Sequence, residues 1–233
     1  MTRLKICLRL TRRLFLTLVG NDLFIKVDTA YPLLTIGNEG TAWTIVPDLV
    51  EKGGVAYTIG VGKDMNLDRV LAGKFEMDVH AFDPTPRSID WVSTQTLGEN
   101  LTFHPFGLAD TDGCLNFEEP ARSDHVSYSA SNQSFRPTIS LPVKRLSTIA
   151  QELGHSQIAI LKMDIEGSEY GVIEDFRNHS LRPKQLLIEF HHRFSKFGAT
   201  QTKKSINLLK ELNYRIAHVS QCGEEILFVH GNY

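Results

Sequence analysis

Two short stretches of this 233-residue chain gather the side chains that can move a proton or hold a cation. "ILKMDIEG" carries Lys162, Asp164 and Glu166 at alternate positions, and "LLIEFHH" carries Glu189 and His191 in the same way, with His192 opposite. In an extended strand, residues i, i+2 and i+4 share one face. Asp164, Glu189 and His191 therefore converge if the two strands are neighbours. An imidazole near its ordinary pKa is a suitable general base. The same trio also offers carboxylate oxygens and a ring nitrogen to a divalent cation. His191 stays open between base, metal ligand and structural histidine, and no metal is assigned. Lys162, Glu166 and Glu169 are expected to form salt bridges around the turn. His80, inside an apolar strand, reads as a core histidine, and His125 falls in the polar "RSDHVSYSASNQS", read as a lid or part of an acceptor pocket. Neither a GxSxG elbow nor a paired Cys–His signature supports hydrolysis.

A second constellation lies earlier in the chain. In "VAYTIGVGKDM" Gly60 and Gly62 follow a strand and precede a helix, where glycine permits positive φ and close approach of a ligand to the backbone. Asp83, about 20 residues further on at the tip of the next strand, is placed to accept hydrogen bonds from ribose hydroxyls. Met65 stands where a dinucleotide fingerprint has its third glycine, the one that packs the helix beneath a pyrophosphate. This tilts the reading from NAD towards a nucleoside ligand without phosphates. A tight strand–helix turn with a solvated aspartate is the alternative.

These residues need strands to carry them, and the chain supplies strands and helices in alternation. "VAYTIGV", "DVHAFDP", "LTFHPFGLA", "IAILKMDI" and "KQLLIEFHH" read as strands. "LDRVLAGKF", a segment opening near Pro86 with Thr85 as candidate cap, "LSTIAQELG" ended by Gly154, "SEYGVIEDF" and "TKKSINLLKELN" read as helices. "YRIAHVS" and "EILFVHG" close the chain as a hairpin. The pattern predicts an α/β fold with a Rossmann-like, doubly wound, mostly parallel sheet and an antiparallel C-terminal hairpin. Its ligand would lie beyond the carboxyl ends of the strands. A polar stretch from Asp110 to Ser134 interrupts the alternation. Residues 51–233 are read as this domain, and residues 1–50 as an extension made of a basic helix and the hairpin "PLLTIGNEGTAWTIV".

Composition is that of an ordinary globular protein, with 42% hydrophobic and 22% charged residues. A formal charge of −2 gives no support to a nucleic-acid partner. Three scattered cysteines suggest neither a zinc knuckle nor a disulfide framework. In the N-terminal segment, Arg3, Lys5, Arg9, Arg12 and Arg13 interleave with leucines ahead of a short apolar run. The run falls far short of a membrane span and is not followed by an export cleavage site. A helix packed on its own domain is favoured over one touching an anionic membrane or a second subunit. A homodimer remains open, and a cytoplasmic location is expected.

In this order, "YTIGVGKD", "HAFDPTPRSIDWV", "GLADTDG", "LKMDIEGSEY" and "IEFHHRF" resemble the FkbM-type methyltransferases, from about Trp43 to the C-terminus. The resemblance implies the class I methyltransferase fold, S-adenosyl-L-methionine as cofactor, and O-methylation of a small-molecule or glycan hydroxyl on a sugar or secondary metabolite. It further implies that Gly60 and Gly62 line the methionine part of the cofactor and that Asp83 holds the ribose. Phe82 or Pro84 would cover the adenine, and Asp110 would approach its exocyclic amine. Many methyltransferases carry an acid two residues before the first glycine, where this chain has Thr58. Asp64 is then the candidate partner for the cofactor's ammonium group, with a helix cap as its alternative role. An NAD-dependent oxidoreductase and a catalytically inactive cofactor-binding module are the rival readings.

Overall fold

The protein is described by a computed structural model covering residues 11, 13, 15–18, 20, 22–38, 40–118, 129–130, 138–194 and 197–232. Most of the expected basic N-terminal helix, and His125 with the greater part of its polar stretch, lie outside these residues.

Seven strands form the central sheet. Numbered in chain order, they are β3 (Val55–Ile59), β4 (Asp78–Phe82), β5 (Leu101–His104), β10 (Ile160–Met163), β11 (Gln185–Glu189), β12 (Tyr214–Val219) and β13 (Glu225–His230). Their spatial order is β12-β13-β11-β10-β3-β4-β5. The five strands from β11 to β5 are parallel, while β13 runs antiparallel to both β11 and β12. The order reverses between β3 and β10, so the switch point of the doubly wound sheet falls between the glycine turn and "DIEG".

Alternation along the strands sorts the two faces. Tyr57, Ile59, Leu161, Met163, Leu186 and Ile188 point to one side and are fully buried. That face is covered by α3 (Leu146–Leu153), α4 (Glu169–Asp175) and α5 (Gly198–Glu211). Ala56, Val79, Ala81, Ile160 and Leu187 face the other side, under α1 (Asn66–Lys74), α2 (Pro86–Ser93) and the hairpin of β1 (Leu34–Ile36) and β2 (Trp43–Ile45). The hairpin has the expected antiparallel register, Leu34 opposite Ile45. It is tied to the sheet because the Val46 N–H donates to Gln185 Oε1 at 2.8 Å and Gln185 Nε2 returns a bond to the Val46 carbonyl.

Three local readings of the sequence change. "LTFHPFGLA" is not one strand: Pro105 has no N–H for the ladder, and the chain breaks there into β5 and β6 (Gly107–Leu108), which enter different sheets. The polar stretch is not wholly irregular. β7 (Gly113–Glu118) pairs with β9 (Thr138–Lys144) and with β8 (Ser129–Ala130), and β6 pairs with β9, in a small second sheet. Ile139, Leu141 and Val143 of β9 pack with Ala109 and Phe117. Their period-two spacing was the signal for a strand. Thr85 does not cap α2 through its side chain; its hydroxyl turns to Asp83 instead.

No helix among the described residues is long and apolar enough to cross a membrane. Arg13, one of the few described residues near the N-terminus, donates to the carbonyls of Leu23 and Ser220 and so packs on the domain itself.

Candidate active site

At the carboxyl edge of the parallel strands a cavity of about 250 Å³ opens over the switch point. Its wall is made first by the glycine turn. Gly60 has φ +84° and Gly62 φ +55°, a region costly for other residues. The Gly60 N–H donates to the Phe82 carbonyl at 2.9 Å, and a Cβ on Gly60 would lie 1.9 Å from the Asp164 carbonyl oxygen. At Gly60 the turn therefore abuts the "DIEG" segment with no room for a side chain.

Asp83, 5% exposed, organises this turn. Its Oδ2 accepts the Gly62 N–H at 2.9 Å, while its Oδ1 accepts the Thr85 N–H at 2.9 Å and the Thr85 hydroxyl at 2.6 Å. With two lone pairs per oxygen, Oδ1 is saturated and Oδ2 keeps one acceptor position. Pro84, Asp64 and Gly107 also line the cavity. Asp64 Oδ1 accepts the Asn66 N–H at 2.7 Å, which gives it a turn-closing role at the start of α1.

Two expected adenine contacts are not brought to the cavity. Phe82 is fully buried on the α3 side of the sheet, stacked on His104 with centroids 4.6 Å apart. Alternation turns it away from the face on which Thr58 and Lys162 sit. Asp110 is exposed and lies against α4, where a Cβ on Gly171 would come within 2.8 Å of its Oδ2.

The position of the missing acid is informative. Thr58, 3% exposed, donates its hydroxyl to Asp68 Oδ1, and both line the cavity. Asp68 comes from the first turn of α1 and is 4% exposed. Burial raises its pKa, against the Thr58 hydrogen bond and the nearby Lys162 charge. Sequence reasoning passed over Asp68. The signal was an aspartate on the inner face of α1, in phase with Leu71 and Ala72.

Lys162 joins the expected salt-bridge network only at long range, through Asp164, and is held mainly by backbone carbonyls. Its ammonium, 8% exposed, donates to the carbonyls of Ile59 at 3.1 Å and Gly60 at 2.7 Å, lies 5.0 Å from the Trp43 ring centroid, and stays 3.9 Å from Asp164 Oδ2. It clamps the start of the glycine turn to β10.

Asp164 and Glu189 both line the cavity, and His191 stands behind them. Its ring is 7% exposed and held from the rear by Glu169, which is fully buried. Glu169 Oε1 accepts the His191 backbone N–H at 3.0 Å and lies 3.2 Å from Nδ1, while Oε2 accepts the Gly167 N–H at 2.8 Å. Nε2 of His191 faces Asp164 Oδ1 at 3.7 Å and Glu166 Oε2 at 3.5 Å. Glu166 reaches that position from a left-handed backbone, φ +52°, where non-glycine residues are uncommon. Asp164, Glu166 and His191 thus present ligand atoms within 4.8 Å of one another.

Electrostatics follows from this crowding. Burial disfavours the imidazolium of His191, but the Glu169 hydrogen bond and the charges of Glu169, Glu166 and Glu189 outweigh it and push the pKa up to about 9. Glu189 is pushed up to about 8 by burial and by Asp164, with Glu225 adding to the effect from the paired position on β13.

A sheet of order β5-β4-β3-β10-β11-β13-β12, with only β13 reversed and a glycine turn at the switch point, is the class I methyltransferase fold. The profile of the methyltransferase FkbM domain matches residues 58–216, and the chain belongs to this family. Its curated relatives include the probable methyltransferase-like protein 24 of Rattus norvegicus, 27% identical over 172 residues, and that of Homo sapiens, 25% identical over 172 residues. The match covers 70% of this chain and 42% and 41% of those proteins, so the chain spans less than half their length. Among solved structures it is similar to methyltransferase FkbM from Methylobacillus flagellatus, with 14% identity, a TM-score of 0.46, and 77% and 44% of the two chains covered. It is also similar to Aeropyrum pernix fibrillarin bound to S-adenosyl-L-methionine, with 9% identity, a TM-score of 0.42, and 88% and 99% covered.

Proposed function

We propose that this chain is an S-adenosyl-L-methionine-dependent methyltransferase acting on a hydroxyl of a sugar or other small molecule. The observation that carries the reading is the pairing of Asp83 with the Gly62 N–H at the mouth of the cavity. It leaves one carboxylate lone pair free beside the backbone of Gly60 and Gly62, which suits a ribose hydroxyl next to a close backbone contact. Gly60 and Gly62 would take the methionine part, and Pro84 with Gly107 the adenine side. Asp68 and Asp64 offer carboxylates to the ammonium group, Asp68 in place of the acid that Thr58 replaces.

The bound cofactor supplies an activated methyl group on a sulfonium. Methyl transfer to a hydroxyl would also require that the acceptor lose its proton. The chain's task is to place the acceptor and to receive the proton. His191 is already protonated at neutral pH because its carboxylates hold the charge, so the accepting group is the Asp164 carboxylate. His191 balances its charge from behind, and Glu169 orients the ring. Glu189, its pKa raised by burial and by Asp164, lines the cavity where the acceptor would lie.

Calorimetric titration of the purified protein with S-adenosylhomocysteine, with NAD in parallel, tests the cofactor class. Binding of S-adenosylhomocysteine alone supports the reading, whereas binding of NAD alone overturns it in favour of an oxidoreductase. Binding of S-adenosylhomocysteine without methyl transfer across hydroxyl acceptors favours an inactive binding module.

A further inference from the structure

At the opposite edge of the sheet, where the parallel strands begin, three potential ligands meet beneath α3. Asp78 opens β4, His80 lies two residues on and so on the same face, and His155 follows the left-handed Gly154 that ends α3. His80 Nε2 lies 3.3 Å from Asp78 Oδ2, and His155 Nε2 lies 3.9 Å from the same oxygen. All three ligand atoms fall within 4.8 Å of one another.

We propose that Asp78, His80 and His155 bind a divalent transition-metal ion of the zinc type, outside the cavity and independent of it. One observation is the state of His80. The residue is 8% exposed, yet its Nε2 has no hydrogen-bond partner among the described residues. A buried polar atom without a partner is costly, and a bound ion would satisfy it.

The second is the shell behind the ligands. The other ring nitrogen of His80 lies 2.9 Å from His104 Nε2, and that of His155 lies 2.7 Å from the Tyr57 hydroxyl. With Nδ1–H of each ring donating to these acceptors, both Nε2 lone pairs point into the cluster. A metal-binding imidazole is oriented in this manner by a partner on its remote nitrogen.

Spacing and chemistry agree. Ligands about 2.0–2.2 Å from a tetrahedral ion are about 3.3–3.6 Å apart, close to the 3.3 Å and 3.9 Å observed. Closure needs only a small movement of Asp78, whose side chain is 51% exposed. Two imidazoles and one carboxylate suit zinc and its neighbours better than magnesium or calcium, which prefer all-oxygen sites. Solvent reaches the Asp78 side and can complete the coordination. The ion would join β4 to the α3–β10 connection and act as a structural clamp.

The test is metal binding by the full chain. Zinc would be titrated calorimetrically into the chelator-treated protein, and cobalt(II) followed by its visible d–d absorption. We expect about one equivalent of zinc at this site, a raised melting temperature, and a cobalt spectrum of mixed nitrogen and oxygen ligation. Asp78→Asn and His155→Ala change partly exposed residues, and each should weaken zinc at least about tenfold. Tyr57→Phe, which removes only the hydroxyl behind His155, should weaken it about 10-fold or more. His191→Ala should leave this binding intact. No zinc binding by the wild type overturns the proposal. So does binding that survives both Asp78→Asn and His155→Ala, or that disappears with His191→Ala.

Discussion

Asp83→Asn separates holding the glycine turn from merely being acidic. In the native site one carboxylate oxygen accepts two donors from Thr85 and the other accepts the Gly62 N–H. Asparagine keeps an oxygen for the Thr85 pair but turns its NH₂ towards the Gly62 N–H, so one charge-assisted bond becomes two donors facing each other. Losing a hydrogen bond to a charged acceptor costs about 1.5–3 kcal/mol. The folded state should be weaker by about 2 kcal/mol, read from urea unfolding followed by tryptophan fluorescence. The amide also removes the remaining Oδ2 lone pair offered to ribose. S-adenosylhomocysteine affinity should therefore fall a further 10- to 100-fold, equivalent to about 1.4–2.8 kcal/mol. Asp83→Ala should exceed both losses, because it strands the Gly62 and Thr85 N–H groups together. A loss of stability with unchanged affinity would reduce Asp83 to a structural pin. Unchanged stability and affinity in Asp83→Asn would refute the reasoning from the hydrogen-bond count altogether.

Gly60→Ala should be far more damaging than Gly53→Ala, although both glycines have positive φ, +84° and +73°. A Cβ at Gly53 meets nothing within 4 Å and costs only the left-handed backbone, about 1–2 kcal/mol, whereas the Gly60 Cβ overlaps the Asp164 carbonyl oxygen. That clash between two backbones should add about 1–3 kcal/mol and displace the turn; equal unfolding free energies for the two variants would contradict it. The Arg145–Asp175 pair should contribute to acid sensitivity. Burial would raise the Asp175 pKa, but hydrogen bonds from Arg145 and Asn178 prevail and hold its carboxyl below the usual range. The unfolded chain then protonates this group first as pH falls. The stabilisation is complete above the unfolded value of about 3.9 and is lost as pH drops through the lower folded value. In Arg145→Ala the acid limb of a stability–pH profile should flatten below about pH 4, and an unchanged slope would remove the pair from acid unfolding.

What the sequence made legible was whatever depends on period and edge. Asp164 and Glu189 were placed by strand alternation and by the rule that ligands gather at the carboxyl ends. The glycine turn and Asp83 followed from the same rule, while their meeting with Asp164 and Glu189 at one cavity depended on the strand order. What stayed hidden depends on the packing of one element against another. Lys162 shares its face with Asp164, yet its destination was set by the carbonyls of Ile59, at the end of β3, and of Gly60 just beyond it, and by Trp43 from the preceding hairpin. Phe82 was misplaced because it neighbours Asp83 in sequence while alternation sends its ring to the other face of the sheet. His191 stayed open between base, metal ligand and structural histidine, because the carboxylates around it could not be counted until β10 and β11 were side by side. Asp68 is the instructive case. A lone carboxylate in the apolar stripe of α1 violates the pattern that built the helix, and its burial is tolerated through the Thr58 hydroxyl and the nearby Lys162 charge. Thr58 and Asp68 are thus two departures from expectation that account for each other, and sequence reasoning noticed only the first.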